Sequence, residues 1–297
     1  MSLKIRVAVF PVAGRGARFL PATKASPKEM FPIVDKPLIQ YAVEEAIAAG
    51  AEKLIFVTCA SKGVIEDHFD SDPELEHELR ESGKMELLAS VKEILPPTVT
   101  CVYIQQEIPL GLGHAVLCAR PAVGDEPFFV HLADDLIYSQ TPCLEQMRRC
   151  YERYGSSVLA VEAVLADQTA DYGIVATEEG SVDVNRVTSI VEKPNPEDAP
   201  SNLAVVGRYV LTPAIFNRLA AVDRGANNEI QLTDAIASLI ADEPVYALLF
   251  EGTRYDCGNK LGYLKASIEY GLRHPDLSET FAAYLAGLNK KSRKSGH

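Results

Sequence analysis

Nothing in this chain approaches the roughly 18 successive apolar residues of a membrane-crossing helix, and its start lacks the pattern of a secretory signal. Those absences predict a soluble, cytoplasmic protein that binds no membrane. Cysteine is scarce and unpaired in pattern. The six residues Cys59, Cys101, Cys118, Cys143, Cys150 and Cys257 form no C-x-x-C and fall mostly within apolar segments. Reduced, buried thiols are therefore expected, and a zinc site is disfavoured. Positive charge is short as well: 29 Lys and Arg stand against 41 Asp and Glu, for a net charge of -12. Such a balance argues against a nucleic-acid partner. No internal repeat and no long flexible linker divides the chain. The third glycine of the dinucleotide fingerprint is missing, because Gly14-x-Gly16 is followed by Phe19, and no GKS or GKT completes a P-loop. A nicotinamide dehydrogenase is thus poorly supported.

What is present is concentrated near the start. An apolar run, Val7 to Phe10, breaks into a loop from Pro11 to Met30 that holds two close glycines and several cations. From Pro11 to Lys36 there are five basic residues, Arg15, Arg18, Lys24, Lys28 and Lys36, against Glu29 and Asp35. Glycine lets backbone N–H groups approach anionic oxygens, and the cations neutralise them. A basic loop on an acidic protein predicts a site for a small polyanion.

At 297 residues and 47% hydrophobic the chain can bury a large core. Strand patterns at Ile5–Phe10, Lys53–Thr58, Thr100–Ile104, Phe128–Leu132 and Ser157–Val164 alternate with helical patterns at Leu38–Ala49, Val64–Phe69, Leu75–Ile94, Gly113–Ala119 and Cys143–Tyr154. This rhythm predicts an α/β fold with a mostly parallel sheet flanked by helices. Ligands of such sheets bind beyond the carboxyl ends of the strands, where the opening loop falls. After about residue 165 the strands Tyr172–Thr177, Val187–Val191 and Leu203–Leu211 follow without full helices between them. An antiparallel extension of one mixed sheet is expected, then helices at Pro213–Ala221, Glu229–Ala241 and Lys260–Leu272 around a strand at Val245–Phe250. Gly83 interrupts the amphipathic stretch 75–94. One domain over 1–288 and a disordered basic tail over 289–297 complete the expected organisation.

Asp134 and Asp135 close the strand Phe128–Leu132, and Asp256 ends a short strand-like segment. Carboxylates at strand ends either cap a following helix or hold Mg²⁺ beside substrate phosphates. Gln106 precedes Gly111-Leu-Gly113-His114, and its amide suits the edge of a pyrimidine; His114 reads as packed. Glu192 and Lys193 end a strand before Pro194, as a surface pair or as ligand contacts. Gly173 and Gly207 lie in or beside strands, which marks bulges or close ligand approach.

Together these strings resemble the bacterial UTP–glucose-1-phosphate uridylyltransferases, from about Val7 to about His274. The resemblance is carried by Gly14 to Met30, Pro32 to Tyr41, Gly111 to Cys118, Val191 to Pro194, Pro200 to Val210, Glu229 to Ala235 and Asp256 to Tyr263. It implies a single-domain nucleotidyltransferase fold with a Rossmann-like core, acting on UTP and glucose 1-phosphate with Mg²⁺, and a homodimer or homotetramer. By position it implies that Ala13, Gly14, Gln106 and Gly111 hold the uracil. Arg18 and Lys28 would meet the triphosphate, and Asp134 and Asp256 the metal. Gly173, Glu192 and Gly207 would face the sugar, and Lys193 its phosphate. The chain departs from the pattern at Ala17, where threonine is usual, and at Leu110, where lysine is frequent. Thymidylyl transfer to glucose 1-phosphate and a non-catalytic sugar-nucleotide sensor stay open at this level.

Overall fold

The computed structural model describes residues 4–59, 63–178, 180, 183–225 and 228–294. Its first half alternates strands and helices: β1 Val7–Pro11, a small ribbon of β2 Pro32–Ile33 with β3 Lys36–Pro37, α1 Leu38–Ala48, β4 Lys53–Thr58, α2 Gly63–Phe69, α3 Pro73–Glu81, α4 Met85–Lys92, β5 Thr100–Gln105, α5 Leu112–Cys118, α6 Arg120–Val123 and β6 Phe128–His131. There follow β7 Asp135–Tyr138, α7 Cys143–Tyr154, β8 Ser157–Ala163, β9 Gly173–Thr177, β10 Val184–Glu192, β11 Leu203–Leu211, α8 Ile215–Ala221, α9 Leu232–Ile240, β12 Val245–Leu249, β13 Thr253–Asp256, α10 Lys260–Arg273 and α11 Ser278–Lys294.

Nine strands form one mixed sheet in the order β5-β4-β1-β6-β11-β8-β12-β10-β9. Pairing is parallel through β5-β4-β1-β6 and again between β8 and β12. Antiparallel pairs fill the rest, as the missing helices after residue 165 predict. The near-continuous apolar strands have a direct cause: they are buried on both faces. On β1, Ala8 and Phe10 join the cluster packed by Ile39 and Val43 of α1 and Leu144 and Met147 of α7. Val7 and Val9 point the other way, toward Val116 of α5, Phe216 of α8 and Ile236 of α9. Alternation of side chains along a strand makes the separation.

A third cluster joins Ile33 and Leu38 to Leu136, Tyr255 and Ala266, and so fastens α10 to a two-stranded ribbon of β7 and β13. In that ribbon Asp256 stands opposite Asp135. The stretch 75–94 is a helix pair, with Gly83 at φ 72 between α3 and α4. Helix α11 carries the backbone through 294, over most of the segment that the sequence presents as a tail; the remainder, 295–297, lies outside the described residues. All six cysteines are free thiols, and burial raises the pKa of Cys101, Cys118, Cys143, Cys150 and Cys257. Among the described residues no helix is long and apolar enough to cross a membrane.

Candidate active site

The opening loop leaves the carboxyl end of β1 and winds through three 3₁₀ turns, at Ala17–Phe19, Ala22–Lys24 and Lys28–Met30. Thr23 Oγ1 donates to the Gly16 carbonyl at 2.8 Å and ties the loop to itself. Two cavities meet this loop. The first, about 690 Å³, is bounded by Ala13, Gly14, Ala17 and Gln106. The second, about 270 Å³, has Arg18 at its edge and is lined by Asp134, Gly173, Lys193, Gly207 and Asp256 among others.

In the first cavity Gln106 is 5% exposed. Its Nε2 lies 2.8 Å from His114 Nδ1 and 3.4 Å from the Gly111 carbonyl. Burial, with the Arg224 charge adding, lowers the His114 pKa, so the neutral ring can accept at Nδ1. Both amide hydrogens are then engaged, and Oε1 is left as the acceptor that Gln106 offers a ligand. Gly111, at φ 92, allows the close approach of 229–231. A Cβ there would sit 2.8 Å from Glu229 Cβ. Gly113 N donates to the Ile230 carbonyl at 2.9 Å and Ile230 N to Leu110 O at 2.8 Å. The segment 229–231 is thus extended chain docked on the glycine loop, where the sequence suggests the first turn of a helix; the helix begins at Leu232.

The second cavity gathers residues from β7, β9, β10, β11, β13, α5 and α9 and from the loops beside them. Asp134 lies in the turn between β6 and β7, and Asp256 ends β13. Their approach is visible at Gly258, where a Cβ would meet Asp134 Oδ2 at 2.8 Å and Asp256 Oδ1 at 2.9 Å. Cys257 N donates to the Asp134 carbonyl at 2.7 Å and holds the two segments together. The metal carboxylates proposed from the sequence therefore do face one space, which glycine keeps open. Among the described residues no group of three or more His, Cys, Asp or Glu has metal-holding geometry. A divalent ion held by Asp134 and Asp256 would thus keep several positions for phosphate and water, which is the habit of Mg²⁺.

Lys28 Nζ forms an ion pair with Asp134 Oδ2. Burial works to lower the Lys28 pKa, but the charges of Asp134 and Glu29 outweigh it and the net shift is upward. Burial likewise opposes ionisation of Asp134, and the Lys28 charge overcomes it to hold that pKa down. Lysine and carboxylate are charged together at neutral pH.

At the cavity's other side Glu192 Oε2 accepts from Thr233 Oγ1 at 3.0 Å, and its Oε1 is 3.3 Å from Lys193 Nζ. Lys193 adopts φ 44, a left-handed backbone that is unusual for lysine and disfavoured before Pro194. Its N–H donates to Tyr172 O at 3.0 Å, which fixes the turn. Strain of this kind concentrates where a side chain must be aimed. Gly207 is required by packing: a Cβ would lie 2.6 Å from both Asp135 Oδ2 and Leu132 Cβ. Its N–H donates to Asp135 Oδ2 at 3.2 Å. The ladder between β11 and β8 shifts register between Val205 and Tyr209, a bulge that spans this glycine.

Every site residue read from the sequence lies in or beside these cavities: Lys28 enters through Asp134, and Gly111 through Gln106. Sequence reasoning missed Arg254, Thr233 and a buried set behind the turn, Glu45, His131 and Arg208. A lone arginine in the otherwise apolar Leu203–Leu211 is a signal for a buried pair, and Arg254 is two residues before Asp256, on the same strand face. Arg208 is 1% exposed. It donates to Glu45 Oε2 at 2.8 Å and to the carbonyls of Leu132, Gly207 and Asp135 at 3.2, 3.3 and 2.6 Å. One guanidinium thus grips both ends of the turn that presents Asp134.

Residues 8–271 match the family model described as Nucleotidyl transferase. The chain belongs to the nucleotidyl transferase family. A curated relative, the UTP–glucose-1-phosphate uridylyltransferase YngB of Bacillus subtilis (strain 168), is 51% identical over 294 residues, 99% of each chain. A UTP-bound UGPase from Acinetobacter baumannii superposes with a TM-score of 0.89 at 44% identity, over 95% of this chain and 99% of that one. A UDP-glucose pyrophosphorylase complexed with UDP-glucose gives 0.83 at 46% identity, over 90% and 98%. The kinship with uridylyltransferases expected from the strings of this nucleotidyl transferase therefore holds over nearly its whole length.

Proposed function

We propose that this enzyme transfers the uridylyl group of UTP to α-D-glucose 1-phosphate, giving UDP-glucose and pyrophosphate. The observation that carries the reading is the pair of cavities on one loop, with Asp134 and Asp256 facing each other in the second. Gln106 offers the base an acceptor at Oε1, which suits the N3–H that uracil and thymine carry and cytosine lacks. Asp134 and Asp256 would hold Mg²⁺, which when bound neutralises phosphate charge and orients the reacting oxygens.

Both reactants are polyanions, and the attacking sugar-phosphate oxygen is already an oxyanion. The protein's work is therefore alignment and charge neutralisation, not acid or base catalysis. Lys193 holds the acceptor phosphate, and Glu192, Gly173 and Gly207 shape the space for the sugar. Arg18 and Lys28 stand by the triphosphate and stabilise the departing pyrophosphate. With Ala17 in place of the usual threonine and Leu110 in place of lysine, nucleotide phosphates depend on Arg18, Lys28 and backbone amides. The substrates are soluble metabolites, in keeping with work in the cytoplasm.

Pyrophosphate release tests the reading, with UTP, dTTP and CTP each offered glucose 1-phosphate and galactose 1-phosphate. UTP with glucose 1-phosphate should be the fastest pair. A preference for dTTP would make the enzyme a thymidylyltransferase, and no release with any pair would leave a binding protein. Lys193→Ala should raise the KM for glucose 1-phosphate about tenfold or more and leave the KM for UTP nearly unchanged; movement of the UTP constant alone would remove Lys193 from the acceptor phosphate. Leu261, Leu264 and Ile268 on α10 and Tyr284 on α11 are exposed, which supports the expected homodimer or homotetramer. Light scattering on the purified chain should return a mass of at least two copies, and a monomer at micromolar concentration would refute it.

A further inference from the structure

Arg254 has no part in the reaction as read above, yet it is the most enclosed cation on the cavity wall. Its side chain is 6% exposed. Nε donates to Asp135 Oδ1 at 2.5 Å and Nη1 to Glu162 Oε1 at 2.6 Å, with Tyr172 Oη 3.3 Å from Nη1. The guanidinium also lies over the Tyr172 ring, 4.9 Å from its centroid. The arginine is therefore held by two carboxylates, from β7 and β8, and by the aromatic face of the residue before β9. Burial works against its charge, but Asp135 and Glu162 more than compensate and raise its pKa.

A guanidinium has five N–H donors. The bonds just given use Nε and Nη1, and Nη2 makes no hydrogen bond among the described residues. Arg254 lines the cavity that also contains Gly173, Glu192, Lys193 and Gly207. Among the described residues Nη2 is not one of the side-chain atoms sealed from solvent without a partner, so it reaches the cavity and is free to donate to a ligand oxygen. A rigidly held donor beside a sugar pocket discriminates strongly, because an analogue without the matching oxygen leaves it unpaired.

We propose that Arg254 reads the hexose: Nη2 donates to one ring hydroxyl of the sugar phosphate, which makes it a specificity-determining residue of this site. The inference rests on the reaction proposed above. Asp135, by contrast, serves as the arginine's anchor, with its other oxygen on Gly207 N, and stays outside the metal pair.

The test is a cycle between enzyme and substrate. Pyrophosphate release is measured for the wild-type chain and Arg254→Lys with UTP and glucose 1-phosphate, and with the 2-, 3-, 4- and 6-deoxyglucose 1-phosphates. Lysine keeps a charge for Asp135 but lacks the second arm of the fork. In the wild type one deoxy analogue should lose about 10- to 100-fold in kcat/KM. Arg254→Lys should lose a similar factor on glucose 1-phosphate itself, show no added penalty for that one analogue, and keep the wild-type KM for UTP. If the variant ranks the analogues as the wild type does, Arg254 reads no hydroxyl. An equal loss on every analogue would assign it to the phosphate and overturn the proposal. Should Arg254→Lys fail to fold, the wild-type series still decides against the idea if no deoxy analogue is penalised. Absence of any wild-type turnover with UTP and glucose 1-phosphate is a separate result, which removes the reaction itself.

Discussion

Asp256→Asn should lower turnover by about two orders of magnitude or more, with little change in folding. The substitution keeps the shape of the side chain; Gly258 N and Asn259 Nδ2 donate to different Asp256 oxygens at 2.9 Å, so the new amide keeps one of these bonds and loses the other, a cost small beside that of the charge. What it removes is one negative charge opposite Asp134. With Asp134 and Asp256 facing the gap at Gly258, each would supply a large share of the protein's hold on a divalent ion, and losses of such groups cost on this scale. The measurement is kcat at saturating UTP and glucose 1-phosphate over a magnesium titration. The variant should need more magnesium and still fall short of the wild-type plateau. Near-normal turnover at ordinary magnesium would end the metal role of Asp256.

The second large effect is on stability. Glu45→Gln should destabilise the fold by about 3–5 kcal/mol, because it leaves the Arg208 guanidinium buried without a counter-charge. Glu45 lies on α1, and besides Arg208 it accepts from Leu144 N at 3.0 Å and sits 3.1 Å from His131 Nε2. Burial opposes its ionisation, but the charge of Arg208, helped by His131, holds its pKa well below the ordinary value of 4.5. A depressed carboxylate stabilises the folded state above its unfolded value, and that contribution is lost as pH falls from 4.5 toward the folded value. His131 is depressed from 6.5 by burial, then by the Arg208 charge. Below pH 6.5 the unfolded chain takes up that proton first, so acid again favours unfolding. The wild type should therefore lose stability below pH 6.5 and more steeply below 4.5, and Glu45→Gln should flatten the steeper part. Urea unfolding at pH 7, 5.5 and 4 reads both. A variant within about 0.5 kcal/mol of wild type at pH 7 would mean that Arg208 finds its compensation elsewhere.

The residues proposed to meet phosphate and base were legible because they lie in short local strings. The stretch from Gly14 to Met30 is a loop with glycines and cations whatever surrounds it, and Gly111 to His114 announces a tight helix start. The extended docking of 229–231 on that start was not legible, since Glu229-Ile-Gln has no pattern that separates a first helical turn from a strand-like contact. The segment ending at Asp256 reads as strand-like, but β7 and its pairing with β13 escaped for a similar reason. Each strand has four residues, too few for alternation to show.

Local composition and period sufficed for the two-faced burial of β1, β4 and β6, the α/β layering and the basic, glycine-bearing loop after β1, because these follow from side-chain spacing along one stretch of chain. The convergence of Asp134 with Asp256, and the burial of Arg208 on Glu45 and of Arg254 between Asp135 and Glu162, were decided only by tertiary structure. Those partners are about 90 to 160 residues apart in the chain, and a charge is stabilised by what the fold brings beside it, which no local pattern contains.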